Sequence, residues 1–169
     1  MAFIYVCPMV KVPETIELAG ARHLLTILSP DTAFSRPVSI VAANHLQLAM
    51  HDIVDELDGH VPPGRNHVEA LIDFGERWER ATPLVINCFA GISRSTAAAY
   101  IIAAALEPSR SEHELAAELR RLSPSATPNM RLIRLADDIL ARSGRMRRAI
   151  ETIGRGEDAF EGNPFALRV

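Results

Sequence analysis

Val85-Ile86-Asn87-Cys88-Phe89-Ala90-Gly91-Ile92-Ser93-Arg94-Ser95-Thr96 decides how this chain folds. The apolar run from Pro83 to Cys88 is short and carries β-branched residues. It is bounded by Thr82-Pro83 and by Gly91, which predicts a buried strand. From about Arg94 onward, Ala97-Ala98-Ala99-Tyr100-Ile101-Ile102-Ala103-Ala104-Ala105-Leu106 predicts a helix buried on most sides. A loop of small residues joins the two, opening on a cysteine and closing on an arginine after five intervening positions.

Such a junction makes an anion site. Loop and first-turn N–H groups converge there, and the helix dipole favours negative charge. Arg94 adds a planar fork that can hold two phosphate oxygens at once. The same field favours Cys88 as thiolate, the nucleophilic form. A thiolate facing a bound oxyanion can displace a phosphoryl group from an ester.

Cys88-x5-Arg94-Ser95, with Ala90-Gly91 inside, resembles the signature loop of the cysteine-dependent protein tyrosine and dual-specificity phosphatases. The match is specific over about residues 83–96 and looser over about 46–140. The resemblance implies a three-layer α/β fold with a mostly parallel central sheet flanked by helices. It places the site at the carboxyl ends of the strands. It further implies a phosphatase that hydrolyses phosphate monoesters, phosphotyrosine foremost, through a cysteinyl-phosphate intermediate. The partner is then a phosphorylated protein or a small phosphate ester. Cys88 is the nucleophile, and Phe89, Ala90, Gly91, Ile92, Ser93 and Arg94 surround the phosphate. No cofactor or metal is implied, because Arg94 and the amides supply the electrostatic stabilisation. Ser95 resembles the family hydroxyl that bonds the cysteine sulfur during hydrolysis of the phosphoenzyme, and Ser93 is a donor to phosphate. Either serine also suits capping of the Ala-rich helix. Gly91 predicts a backbone conformation closed to residues with a Cβ.

A departing alkoxide or phenoxide needs a proton, and a general acid contributes about 10²–10⁴-fold. The resembled family draws it from an aspartate on a loop upstream of the cysteine. Asp52, directly after the Leu46–Met50 strand, occupies that place, with Asp55 and Asp58 as alternatives. The connection from His51 to Gly64 is longer than usual, reads as mobile, and is of a kind often functional. Asp73 falls on the polar side of the helix containing Trp78 and reads as structural. One departure is chemical: the family usually has histidine before the cysteine, and here Asn87 stands there. Asparagine can hydrogen-bond loop backbone but carries no positive charge. A phosphate- or phosphotyrosine-binding protein with little turnover is therefore the rival reading.

Other chemistries fail on spacing. Gly91-Ile92-Ser93-Arg94-Ser95 has Ser95 where a hydrolase nucleophile elbow needs glycine, and Ser93 lies too far past the strand end. The low-molecular-weight tyrosine phosphatases order cysteine and acid the other way round. A rhodanese-type sulfur carrier is disfavoured by Asp52 and the Arg94-Ser95 pair. The six histidines have no metal spacing such as H-E-x-x-H, and His51 and His60 read as surface residues near the site. Arg142, Arg145, Arg147 and Arg148 form a basic patch explained by helix ends.

The 169 residues suffice for one domain with its own core, here a phosphatase-like domain over 1–169. A net charge of -3 gives no basic field for nucleic acid. Cys7 and Cys88 are too few for a disulfide scaffold, and a free Cys88 suits a reducing, cytoplasmic setting. The start lacks the pattern of a signal peptide, and the Ala97–Leu106 run falls short of the ~20 residues needed to span a bilayer.

Along the chain, strands are predicted at Phe3–Val6 and His23–Leu28, with further strand material at Ser39–Ala42 and His45–Met50. Pro13–Ala19 predicts a helix ending at Gly20, and Cys7 packs in the sheet as a small apolar side chain. A helix with Val68, Leu71, Ile72, Gly75 and Trp78 follows Asn66 as N-cap. Ser111-Glu112-His113-Glu114 opens a helix to about Leu122, and Thr127-Pro128 caps another that ends before Gly144. Met146 to Ile153 forms a last helix, and the tail from Gly154 is expected to be loose.

Overall fold

The run ending at Cys88 forms β4 (Leu84–Cys88), the middle strand of a five-stranded sheet in the computed structural model, which describes residues 2–169. Its parallel neighbours are β1 (Phe3–Pro8) and β2 (His23–Leu28), with Ile86 opposite Val6 on one side and Leu25 on the other. β3 (His45–Ala49) extends the sheet parallel to β2, and β5 (Phe165–Arg168) pairs antiparallel with β1, for the order β3-β2-β4-β1-β5. All five β4 residues are buried, as a strand with both faces covered requires. Alternation sends Leu84 and Ile86 to one core and Val85 to the other.

On the Val85 face lies α1 (Val12–Ala19), which closes a small cluster with Cys7, Ile16, Leu24 and Ile40. Its end at Gly20, in the left-handed conformation, is as predicted. The other face carries α2 (Arg65–Arg77), α3 (Arg94–Leu106), α4 (Glu112–Leu122), α5 (Met130–Ile139) and α6 (Arg145–Ile153). α3 is buried from Arg94 through Ala104, and its alanines let neighbours approach closely. Gly75 of α2 is packed so tightly against it that a Cβ would come within 2.7 Å of Ile102 Cγ2. Sheet, one-helix layer and five-helix layer give the expected three-layer α/β architecture. No helix among the described residues is long and apolar enough to cross a membrane.

Four expectations need correction. Ser39–Ala42 is a turn leading into a 3-10 segment (Ala42–Asn44), not a strand: Ile40 N–H bonds Pro37 O, and Ile40 is buried while Val41 is exposed. The N-cap of α2 is Gly64, not Asn66; His67 Nδ1 accepts the Gly64 N–H at 3.0 Å, which moves the start upstream. The N-cap of α5 is Asn129, not Thr127-Pro128; its Oδ1 accepts the N–H groups of Arg131 and Leu132 at 3.0 and 3.1 Å. The tail from Gly154 is not loose throughout, because Phe165 and Leu167 alternate into the core as β5 and Val169 exchanges two backbone hydrogen bonds with Ala2. A four-residue strand is too short to announce itself by periodicity. Ser111 does cap α4, its Oγ accepting from the Glu114 N–H at 3.5 Å.

Candidate active site

Four parallel strands end on the same side of the sheet, and their carboxyl ends assemble the site: Pro8 closing β1, Ser29 after β2, Met50 to Asp52 after β3, and Cys88 closing β4. That is where open α/β sheets bind ligands.

The loop from Phe89 to Ser93 is fastened by its carbonyls. Phe89 O accepts from Met9 N–H at 3.1 Å and Ala90 O from Gly162 N–H at 2.8 Å. Ile92 O accepts from Thr127 N–H at 3.0 Å and Ser93 O from Asn129 N–H at 3.2 Å. Thr96 Oγ1, one turn into α3, donates to these last two carbonyls as well. In a trans peptide the N–H points opposite the preceding C=O. Tying the carbonyls outward therefore turns the N–H groups of Ala90, Gly91, Ser93 and Arg94 to the concave side. Among the described residues no N–H from Phe89 to Arg94 has a protein acceptor. This is an anion nest at a helix N-terminus. Gly91 is required in it: φ is +69°, and a Cβ would lie 2.6 Å from Pro8 N and 2.8 Å from the Cys7 carbonyl carbon.

Cys88 and Arg94, both buried, sit at the two ends of this nest. Cys88 Sγ is 3.1 Å from Ser95 Oγ, the contact implied for the sequence pair. Arg94 is anchored by one nitrogen, Nη1 donating to Met50 O at 2.8 Å and Ser29 Oγ at 3.3 Å. Its Nε is buried with no partner, so the Nε–Nη2 edge of the fork is left for a ligand. An unpartnered buried guanidinium N–H is costly unless an anion meets it.

Asp52 is brought to the nest. Its Oδ1 accepts from Ser93 Oγ at 2.7 Å and from Asn129 Nδ2 at 2.8 Å. Ser93 is thus occupied with the acid rather than capping α3. Asp55 and Asp58 are exposed, and their carboxylates make no hydrogen bond among the described residues. Asp73 pairs with Arg77 on the outer face of α2. His51 and His60 pack ring to ring at 4.7 Å on the acid loop. Beside Asp52 and Ser93 opens a cavity of about 420 Å³, walled by Val54, Pro128, Met130 and Ile150.

Asn87 is fully buried behind the nest. Its Oδ1 accepts from Thr26 Oγ1 at 2.9 Å, and Thr26 Oγ1 lies 3.0 Å from His45 Nε2. Since Thr26 donates to Asn87, His45 Nε2 must carry the proton it gives to Thr26. Burial, reinforced by Arg36, pushes the His45 imidazole below its usual range, which disfavours a charge on this chain. The other cysteine is inert: burial, only partly offset by its bond with Thr15, pushes the Cys7 thiol up to about 12. The four arginines of the sequence patch each have a partner, Arg142 and Arg145 sharing Glu112, Arg147 on Glu151 and Arg148 on Ser143 O. Ser29 and Asn129 are site neighbours that the sequence does not announce.

Comparison with solved structures finds the same fold over most of the chain. DUSP15 superposes with a TM-score of 0.63 at 18% identity, over 92% of this chain and 94% of that one. The Yvh1 phosphatase domain from Chaetomium thermophilum gives 0.62 at 17% identity, over 85% and 93%. Human DUSP28 gives 0.62 at 16% identity, over 82% and 94%. The fold is that of the dual-specificity phosphatases. No protein-family model and no curated protein sequence matches the chain. Within this phosphatase fold, identity of 16–18% leaves the chemistry to be argued from the residues themselves.

Proposed function

We propose that the protein is a cysteine-dependent phosphatase acting on phosphate monoesters, with phosphotyrosine in a protein the leading substrate. The observation that carries this reading is the nest of acceptor-free amides with Cys88 at one end and the free edge of Arg94 at the other. Cys88 Sγ, as thiolate, attacks phosphorus; the S–P bond forms as the ester P–O bond breaks. Asp52 gives its carboxyl proton to the leaving oxygen. Water then attacks phosphorus, Asp52 takes the proton, and the S–P bond breaks to release phosphate while Ser95 Oγ supports the departing sulfur. Arg94 and the amides offset the charge of the three non-bridging oxygens, without a step that calls for a metal or a cofactor.

Asp52→Ala tests the acid. Turnover of phenyl phosphate, whose leaving group is poor, is expected to fall by about 10²–10⁴-fold, while dinitrophenyl phosphate loses far less. Equal losses on the two substrates would remove Asp52 from that role.

A second reading, capture of phosphorylated ligands with little turnover, is favoured by the uncharged amide of Asn87, bonded through Thr26 to His45, behind the nucleophile. It predicts vanadate binding without phosphate release by the natural protein, and gain of turnover in Asn87→His. Steady release of phosphate from a phosphotyrosyl peptide by the natural protein would rule it out.

A further inference from the structure

The loop that carries Asp52 is long and polar, yet it is gripped at five points by two residues at the start of one helix. Asn129, 4% exposed, donates from Nδ2 to Asp52 Oδ1 at 2.8 Å and to Ile53 O at 3.2 Å. Arg131 donates from Nε to Pro63 O at 2.7 Å and from Nη1 to Val54 O at 3.1 Å, and its Nη2 meets Glu56 at 3.3 Å. The first residues of the loop and its last are therefore held by the same turn of α5. Asn129 is itself fixed, because its Oδ1 caps α5 and its backbone N–H bonds Ser93 O of the nest. Helix, acid loop and phosphate loop share one asparagine.

We infer that Asn129 and Arg131 are positioning residues that hold the Asp52 loop against the nest, so that the acid is in place before substrate arrives. This deepens the phosphatase reading and rests on it. The geometry separates the two carboxylate oxygens: Oδ1 is held by two donors, while Oδ2 accepts none among the described residues and is the oxygen left to carry the proton. Side-chain chemistry suits the task. Asparagine offers an acceptor to the helix and a donor to the loop at once, and the arginine fork reaches carbonyls that lie apart. The ion pair to Glu56 adds little, since that carboxylate is 81% exposed. Two carbonyls fixed by one guanidinium do the holding.

Two variants separate holding from capping. Asn129→Ser keeps an N-cap acceptor but is too short to reach Asp52; Arg131→Ala leaves the cap untouched. In both, hydrogen exchange of the 51–64 amides is expected to quicken relative to the rest of the protein. Turnover of phenyl phosphate is expected to fall by about 10²-fold, dinitrophenyl phosphate by far less, with the vanadate inhibition constant unchanged. Unchanged exchange in both variants would overturn the inference. So would faster exchange with equal losses on the two esters, since that marks general disruption. If the natural protein turns over neither ester, the phosphatase reading fails instead; the exchange arm then still reports whether the loop is held.

Discussion

Cys88→Ser is expected to abolish turnover of aryl phosphates while leaving orthovanadate or phosphate bound. A serine hydroxyl keeps the shape of the side chain but is a weak nucleophile unless a base activates it. The site offers none to position 88 at the step of attack: Cys88 Sγ has Ser95 Oγ as its neighbour at 3.1 Å, and Asp52 holds its proton for the leaving oxygen at that step. Binding, by contrast, depends on the amides and on Arg94, whose anchors at Met50 and Ser29 do not involve position 88. Phosphate release measured beside isothermal titration with vanadate resolves the two. Residual turnover in the variant would mean that another group attacks phosphorus; loss of oxyanion binding would mean that the nest needs the sulfur to form.

The largest expected effect on stability is far from the site. Glu112 Oε1 accepts from Arg142 Nη1 and from Arg145 Nε, both at 3.1 Å, and Glu112 and Arg142 are each about 7% exposed. The pair bridges two helix ends that suit it. Glu112 opens α4, where a negative charge is favoured, and Arg142 Nη2 donates to Ala104 O near the end of α3, where a positive one is. Removing one partner leaves the other charge buried and unpaired, which costs about 3–5 kcal/mol. Against the ~5–15 kcal/mol that keeps a domain folded, Glu112→Ala should lower the midpoint of urea unfolding sharply. A shift within experimental error would show that water reaches Arg142 readily.

The same carboxylate carries a pH dependence. Burial alone would push its proton affinity up, but hydrogen bonds and the charges of Arg145 and Arg142 prevail and hold it below its usual 4.5. A depressed folded value means that the stabilisation is fully present above the unfolded value and is lost as pH falls through the folded one. In urea titrations below about pH 4.5, the natural protein should therefore lose this contribution. Glu112→Gln, already without it, should show a shallower decline over that window.

Much of this protein is legible in its residues. A short apolar run, a loop from cysteine to arginine and an alanine-rich stretch specify strand, nest and helix, because each obeys a local rule of burial, turn conformation or periodicity. Gly91 is a case where a single residue type announces a backbone angle. The order of chain elements also supports the layered sheet. What local rules cannot specify is which distant atoms meet. The cap of α5 looks like Thr127-Pro128 in sequence, and only the packed chain gives that position to Asn129 and turns its other face to Asp52, 77 residues away. The connection from His51 to Gly64 reads as mobile from its length, yet Arg131 ties its carbonyls. The tail reads as loose, yet Gly162 fastens Ala90 O and β5 completes the sheet. Sequence by itself determined the central strand, the glycine turn and the buried helix that follows, since these arise from neighbours along the chain. Tertiary structure alone decided how that loop is braced and where the acid stands, since hydrogen bonds to carbonyls read position in space and not residue type.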